Sequence, residues 1–173
     1  MNGERHNLPA ILLHWLQAGL ILWLLWLGWT MVDLPKGNLR SGAYALHKSL
    51  GLLSLGVVLL RLFWRRHRPP PPPLQAGRRF DLARAVHRTL YGFLLLAPVA
   101  GYLATSFTPY PLRFFGLDLP KLGWPDETLN GVFKSFHWAL VWGGAGLVGL
   151  HVLGALAHRG VLARMAPWPL SRN

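Results

Sequence analysis

The chain has 173 residues, 52% of them apolar and 14% charged, with 18 lysines and arginines, 6 acids and no cysteine. So apolar a chain is not a disordered segment, and without cysteine it is not a disulfide or thiolate–metal scaffold. The length suits one domain, residues 1–173. The net charge of +12 does not make it a soluble nucleic-acid binder, because the apolar residues are gathered into runs of membrane-spanning length.

A bilayer core about 30 Å thick takes about 20 mostly apolar residues in a helix. Residues 8–31 form the first such run, dominated by Leu, Ile and Trp. It is too long for a signal-peptide core, and no small-residue cleavage site follows between Thr30 and Pro35, so it is expected to remain as a helix. The second run covers residues 43–64, through LLSLGVVLLRLFW. Pro69 to Pro73 then read as an extended connector rather than an SH3-type ligand. The third run, residues 87–107, contains Pro98, which a membrane helix tolerates and which predicts a kink. Pro109 to Asn130 predict a long loop across one mouth of the bundle. The fourth run, residues 133–158, carries Gly143, Gly144, Gly146, Gly149 and Gly154, small residues that let a backbone or a flat ligand approach closely. The fold expected is all-α, an integral membrane bundle of four helices.

Lysine and arginine counts set the orientation. Arg5, the segment from Arg61 to Arg88 and the tail with Arg159, Arg164 and Arg172 hold twelve of the 18 basic residues. The other side holds Lys36, Arg40, Lys48, Arg113, Lys121 and Lys134, together with Asp33, Asp118, Asp126 and Glu127. Both termini are therefore expected in the cytoplasm. The surplus charge is mainly a topological label, with some affinity for anionic lipid.

The eight histidines carry most of the chemistry. His6 and His67 lie in polar, arginine-containing segments, and His158 sits at an interface beside Arg159. The others lie deeper, and ionisable groups at membrane depth usually face the bundle interior with a partner. His14, about six residues into the first helix, matches the height of His151, about seven residues before the end of the fourth. His47 and His137, each near the start of its helix, match at the opposite face.

The fourth helix thus supplies one histidine to each level. Its two are fourteen residues apart, which is about 21 Å along the axis and about 40° around it, hence on one face. Gly144 lies midway on that face. One helical step beyond His14, His47 and His151 stand Ala18, Gly51 and Ala155, where a broad planar group can lie against the backbone.

Two histidine pairs about 20 Å apart, flanked by small residues, suit two bis-histidine haems. Six-coordinate iron of this kind favours electron transfer. Zinc or copper would want three or four ligands converging within a few ångströms. Arg61, fourteen residues after His47, shares that helix face at the His14 level. It reads either as a partner for a haem propionate or as an arginine snorkelling to the interface. Lys48 and Lys134 stand in the same relation to the other level. His87, at the start of the third span, reads as an interfacial residue, a substitute inner ligand, or a donor to a bound quinone. Trp15 and Trp138 follow ligand candidates directly, but neighbours in a helix point about 100° apart, so no ligand role falls to them.

LHWL in the first helix, LHKSLGLL opening the second, HRTLYGFLLLAPVAGYL in the third, and SFHW and GLHVLGALAH in the fourth resemble the bacterial cytochrome b561 family over nearly the whole chain. The resemblance implies a small inner-membrane protein holding two b haems on His14, His47, His137 and His151. It further implies electron exchange between a periplasmic donor, superoxide being the favoured one, and ubiquinone. Lys36, Arg40, Lys48, Arg113 and Lys134 are placed to steer a small anion toward the outer haem. Related cytochrome b subunits anchor hydrogenases and formate dehydrogenases, so an anchor that wires a peripheral dehydrogenase to the quinone pool is the alternative.

Overall fold

Asn7 opens the first helix, α1 (Leu8–Thr30). Its side-chain oxygen accepts from Ala10 N at 3.1 Å, satisfying one of the donors a helix start leaves over. The same oxygen accepts from Trp64 Nε1 at 2.8 Å, which ties the start of α1 to the end of α2 (Asn38–His67). Gly37, with φ of 146°, precedes α2, and Pro69 follows just after its end, where the residue before a proline leaves helical geometry. A third helix, α3 (Arg78–Ser106), runs through Pro98. A fourth, α4 (Glu127–Ala157), is capped by Asp126, whose carboxylate accepts from Leu129 N at 2.9 Å. A short α5 (Arg159–Met165) follows. The computed structural model describes residues 5–73 and 77–167. Arg172, counted above with the tail, and the side chains of Arg79 and Arg159 lie outside the described residues.

Four of these helices are long and apolar enough to cross a membrane. Each contains the span read from the sequence, give or take an end residue, and α2, α3 and α4 run past it. The nine extra residues that open α3 include the charged Arg78, Asp81 and Arg84, and those that open α4 include Glu127. Acids in a first turn favour the helix dipole, yet such turns carry no hydropathy signal, which reports only membrane depth.

The expected loop between α3 and α4 contains a small hairpin. Strand β1 (Arg113–Phe114) pairs antiparallel with β2 (Leu117–Asp118). Phe115 and Gly116, with φ of 46° and 93°, form its two-residue turn, and two positive φ values are the mark of a tight type I′ hairpin. Ser49 on α2 fastens the hairpin, accepting from Phe115 N at 3.0 Å. Lys48 Nζ donates to the carbonyl of Pro111 at 3.5 Å. The loop thus lies over the end of the bundle next to His47.

The core sits mid-span. Ile21, Val58, Phe93, Leu94 and Ala97 form one buried cluster, and Leu20, Leu27, Leu50 and Val57 a second between α1 and α2. A buried polar bridge, Gln17 Nε2 to Ser54 Oγ at 2.7 Å, joins the same two helices. Outward-facing residues such as Leu22, Trp23, Trp26, Leu59, Phe63 and Leu153 are exposed, as a bundle immersed in lipid requires. The packing runs α1 on α2, α2 on α3 and, most extensively, α3 on α4. Within its apolar window α4 is only 6% buried, against 28% for each of the others.

Candidate functional site

The rings of His14 and His151 face each other across α1 and α4 with centroids 6.1 Å apart and planes at 65°. Those of His47 and His137 do so across α2 and α4, at 6.3 Å and 86°. Metal–imidazole bonds of about 2.0–2.1 Å on opposite sides of one atom space two ring centroids by about 6.3 Å. Both couples therefore have the opening that one metal atom needs. All four rings are half-buried. Their levels match the depth argument: the first couple is at the end of the bundle that carries the termini, the second at the far end.

Neighbouring groups hold the rings. His137 Nδ1 lies 2.8 Å from the carbonyl oxygen of Ala97. A ligating histidine commonly donates its other N–H to such a carbonyl, fixing the tautomer, and here Nε2 is left for a metal. Among the described residues, His47 Nδ1 is buried with no hydrogen-bond partner, a costly state for a polar atom. Two glycines that sequence reasoning passed over make room for the far-end rings. A Cβ on Gly28 would stand 3.2 Å from His47 Cε1, and one on Gly101 would stand 3.3 Å from both Cε1 and Nδ1 of His137.

The couple near the termini has polar flanks instead. Arg61 Nη2 is 3.2 Å from His14 Nδ1, and its guanidinium lies over the Tyr91 ring at 5.5 Å. His87 packs edge-on against His151, with centroids 5.1 Å apart, closer than two imidazoles sharing one atom from opposite sides would sit. Among the described residues, no three or more ligating side chains converge as a metal cage.

The small residues divide. Gly51 faces open space, with nothing within 4 Å of an added Cβ. Gly144 is buried, but what lies over it is the ring of Phe93, 2.3 Å from where a Cβ would be. Trp15 donates Nε1 to Met165 O at 2.7 Å, and Trp138 stacks on Trp142; neither points a donor at a ring couple. On the far side, Arg113 is held by Asp118 at 2.7 Å, Arg40 donates to Leu34 O at 3.3 Å and Lys48 reaches the loop as described. Arg113 is therefore charge-compensated.

The profile of the prokaryotic cytochrome b561 family matches residues 5–168. The chain belongs to that family. It is 31% identical over 159 residues to "Cytochrome b561 homolog 2" of Escherichia coli (strain K12), covering 90% of this chain and 85% of that one. It is 26% identical over 164 residues to "Probable superoxide oxidase CybB" of Yersinia pestis, covering 92% and 91%. As a member of the cytochrome b561 family with four apolar helices, the chain is a multi-pass protein of the bacterial inner membrane. The prosthetic group of the family is b-type haem. The donor set fits it: imidazoles in facing couples, one with its tautomer fixed and one with an orphaned nitrogen, beside backbone stripped of side chains.

Proposed function

We propose that the protein is a two-haem electron carrier that takes electrons from superoxide on the periplasmic side and delivers them to ubiquinone. The observation that carries this reading is the pair of imidazole couples, at 6.1 and 6.3 Å, stationed at the two levels of α4. His47 and His137 would hold the outer haem, and His14 and His151 the inner one, with both termini in the cytoplasm. The bound haems supply one-electron chemistry. Two superoxide ions give up one electron each and leave as two molecules of oxygen, and one quinone takes both electrons with two protons.

The chain's own residues orient, exclude and tune. The Ala97 carbonyl aims His137, and Gly28 and Gly101 keep the far-end rings free of side-chain bulk. Arg61 places positive charge beside His14, where a propionate would be received. With Arg113 compensated, Lys36, Arg40, Lys48 and Lys134 remain to attract a small anion toward the far end. Assignment of superoxide as donor draws on the Yersinia relative's name and on this charge.

The deciding experiment uses purified, haem-loaded protein. It should show a dithionite-reduced b-type spectrum, haem reduction by superoxide pulses and reoxidation by ubiquinone. Failure of superoxide to reduce the haems, with electrons accepted only from a copurifying dehydrogenase, would replace this reading with that of an anchor subunit.

A further inference from the structure

At the terminus end, a crevice of about 50 Å³ opens among His6, Asn7, Arg61, Trp64, Arg65 and Arg68. Such a space takes about three or four water-sized groups, close to the oxygens of one phosphate. Three chain segments are cinched around it. His6 N donates to Arg164 O at 3.3 Å, Arg5 to Ala166 O at 2.5 Å, Trp64 to Asn7 at 2.8 Å, and Arg164 to Pro72 O at 2.7 Å. The walls are thus built from side-chain and backbone bonds rather than left by chance between mobile arms.

The charge around the crevice is one-sided. Arg61, Arg65 and Arg68 line it, and among the described residues no carboxylate does; the ion pair formed among those residues, Arg113–Asp118, lies at the far end. Burial, with Arg164 and Arg65 nearby, pushes the His6 imidazole below its ordinary value. Two tryptophans, Trp15 and Trp64, rim the region, and indoles gather at headgroup depth. Leu13, Tyr91 and Met165 provide an apolar wall that would accompany a glycerol and its first methylenes.

We infer that this crevice binds the phosphate of an anionic phospholipid. Guanidinium forks match phosphate oxygens two at a time, and Arg65 and Arg68, at the end of α2, line the crevice with such forks. The lipid class follows from the same charges. A zwitterionic headgroup brings an ammonium that needs an acidic neighbour, and among the described residues the crevice lining supplies none.

The test compares the haem-loaded protein in nanodiscs of phosphatidylcholine alone and of phosphatidylcholine with phosphatidylglycerol. Native mass spectrometry should find a retained phosphatidylglycerol adduct, and the mixed discs should raise the midpoint of thermal unfolding. In R65Q/R68Q the adduct should be held about thirtyfold less tightly, the effect of two arginines near an anionic surface, with haem content unchanged. R78Q/R84Q, which removes the same charge on α3 outside the crevice, should keep the adduct. R65K/R68K serves if the glutamine variant does not accumulate, and should lose several-fold through the broken forks.

Equal loss in R78Q/R84Q would mean diffuse attraction and overturn the site. The same thermal gain from inorganic phosphate in neutral discs would make it a free-anion site and overturn the lipid. Loss of haem in R65Q/R68Q would hand the crevice to the haem carboxylates, and displacement of the adduct by a short-chain ubiquinone would hand it to the quinone. Either overturns the inference.

Discussion

His137 Nδ1 and the Ala97 carbonyl oxygen lie 2.8 Å apart, so a residue on α3 decides which nitrogen of an α4 ring faces the interior. The two helices that pack most extensively are thereby also joined at the site. Replacing His137 with alanine should remove the outer haem and spare the inner one, and replacing His151 should do the opposite. Haem extraction and quantification would then give about half the wild-type content in each. Unchanged content in both would end the pairing scheme.

Gly101→Ala would press a methyl group on two atoms of the His137 ring. Overpacking of this kind costs about 1–3 kcal/mol. The expected outcome is a weaker Ala97 contact and a shifted absorption band for the outer haem alone. Gly51→Leu is the complement, because nothing in the protein stands within 4 Å of an added Cβ. Helix content by circular dichroism should survive that change while haem content falls.

On the two-haem proposal, Arg61, 3.2 Å from His14, should tune the inner level. A positive charge favours the reduced, more negative state, so Arg61→Gln should lower the inner haem potential and leave the outer one in place. With a separation of about 10 Å and an effective dielectric of about 20, the shift is about 1.7 kcal/mol, or about 70 mV for one electron. Redox titration resolves the two haems and reads it directly.

Steering should be carried by Arg40 and Lys48 rather than by Arg113. Neutralising the first two should flatten the ionic-strength dependence of the superoxide reaction in stopped flow, since exposed charges act through a Debye length of about 10 Å at 0.1 M salt. Neutralising Arg113 should leave the slope nearly unchanged, because Asp118 already offsets it.

Ser49→Ala should loosen the β1–β2 hairpin, which loses the acceptor for Phe115 N. A hydrogen bond of this kind contributes about 1 kcal/mol. Limited proteolysis between Arg113 and Asp118 should become faster, with haem content near wild type.

The four spans and both ring couples were legible in the sequence because depth and helical phase are local properties. What lay across helices was not. Gly28 and Gly101 are isolated glycines in apolar runs, and nothing along their own helices marks them. Yet the spacing that aligns His137 with His151 also relates His14 to Gly28, His47 to Arg61 and His87 to Gly101: fourteen residues in each case. Applied to every helix, that interval places Gly28 with His47 and Gly101 with His137 at one level, and Arg61 with His14 and His87 with His151 at the other. The structure brings together those four neighbour pairs. The hairpin and α5 left no such trace, being too short for periodicity, and Phe93 over Gly144 is a packing choice that spacing cannot reveal.

The thin burial of α4 has a consequence for biogenesis. Gly144 is its one buried residue among those described, and the ring contacts that reach α1 and α2 are the Trp29–Trp142 pair and the two facing imidazole couples. A freshly inserted chain would therefore hold three helices by ordinary packing and the last one mainly on α3. Acquisition of porphyrin becomes the closing act of assembly, and chains that miss it present a loosely moored segment to membrane proteases.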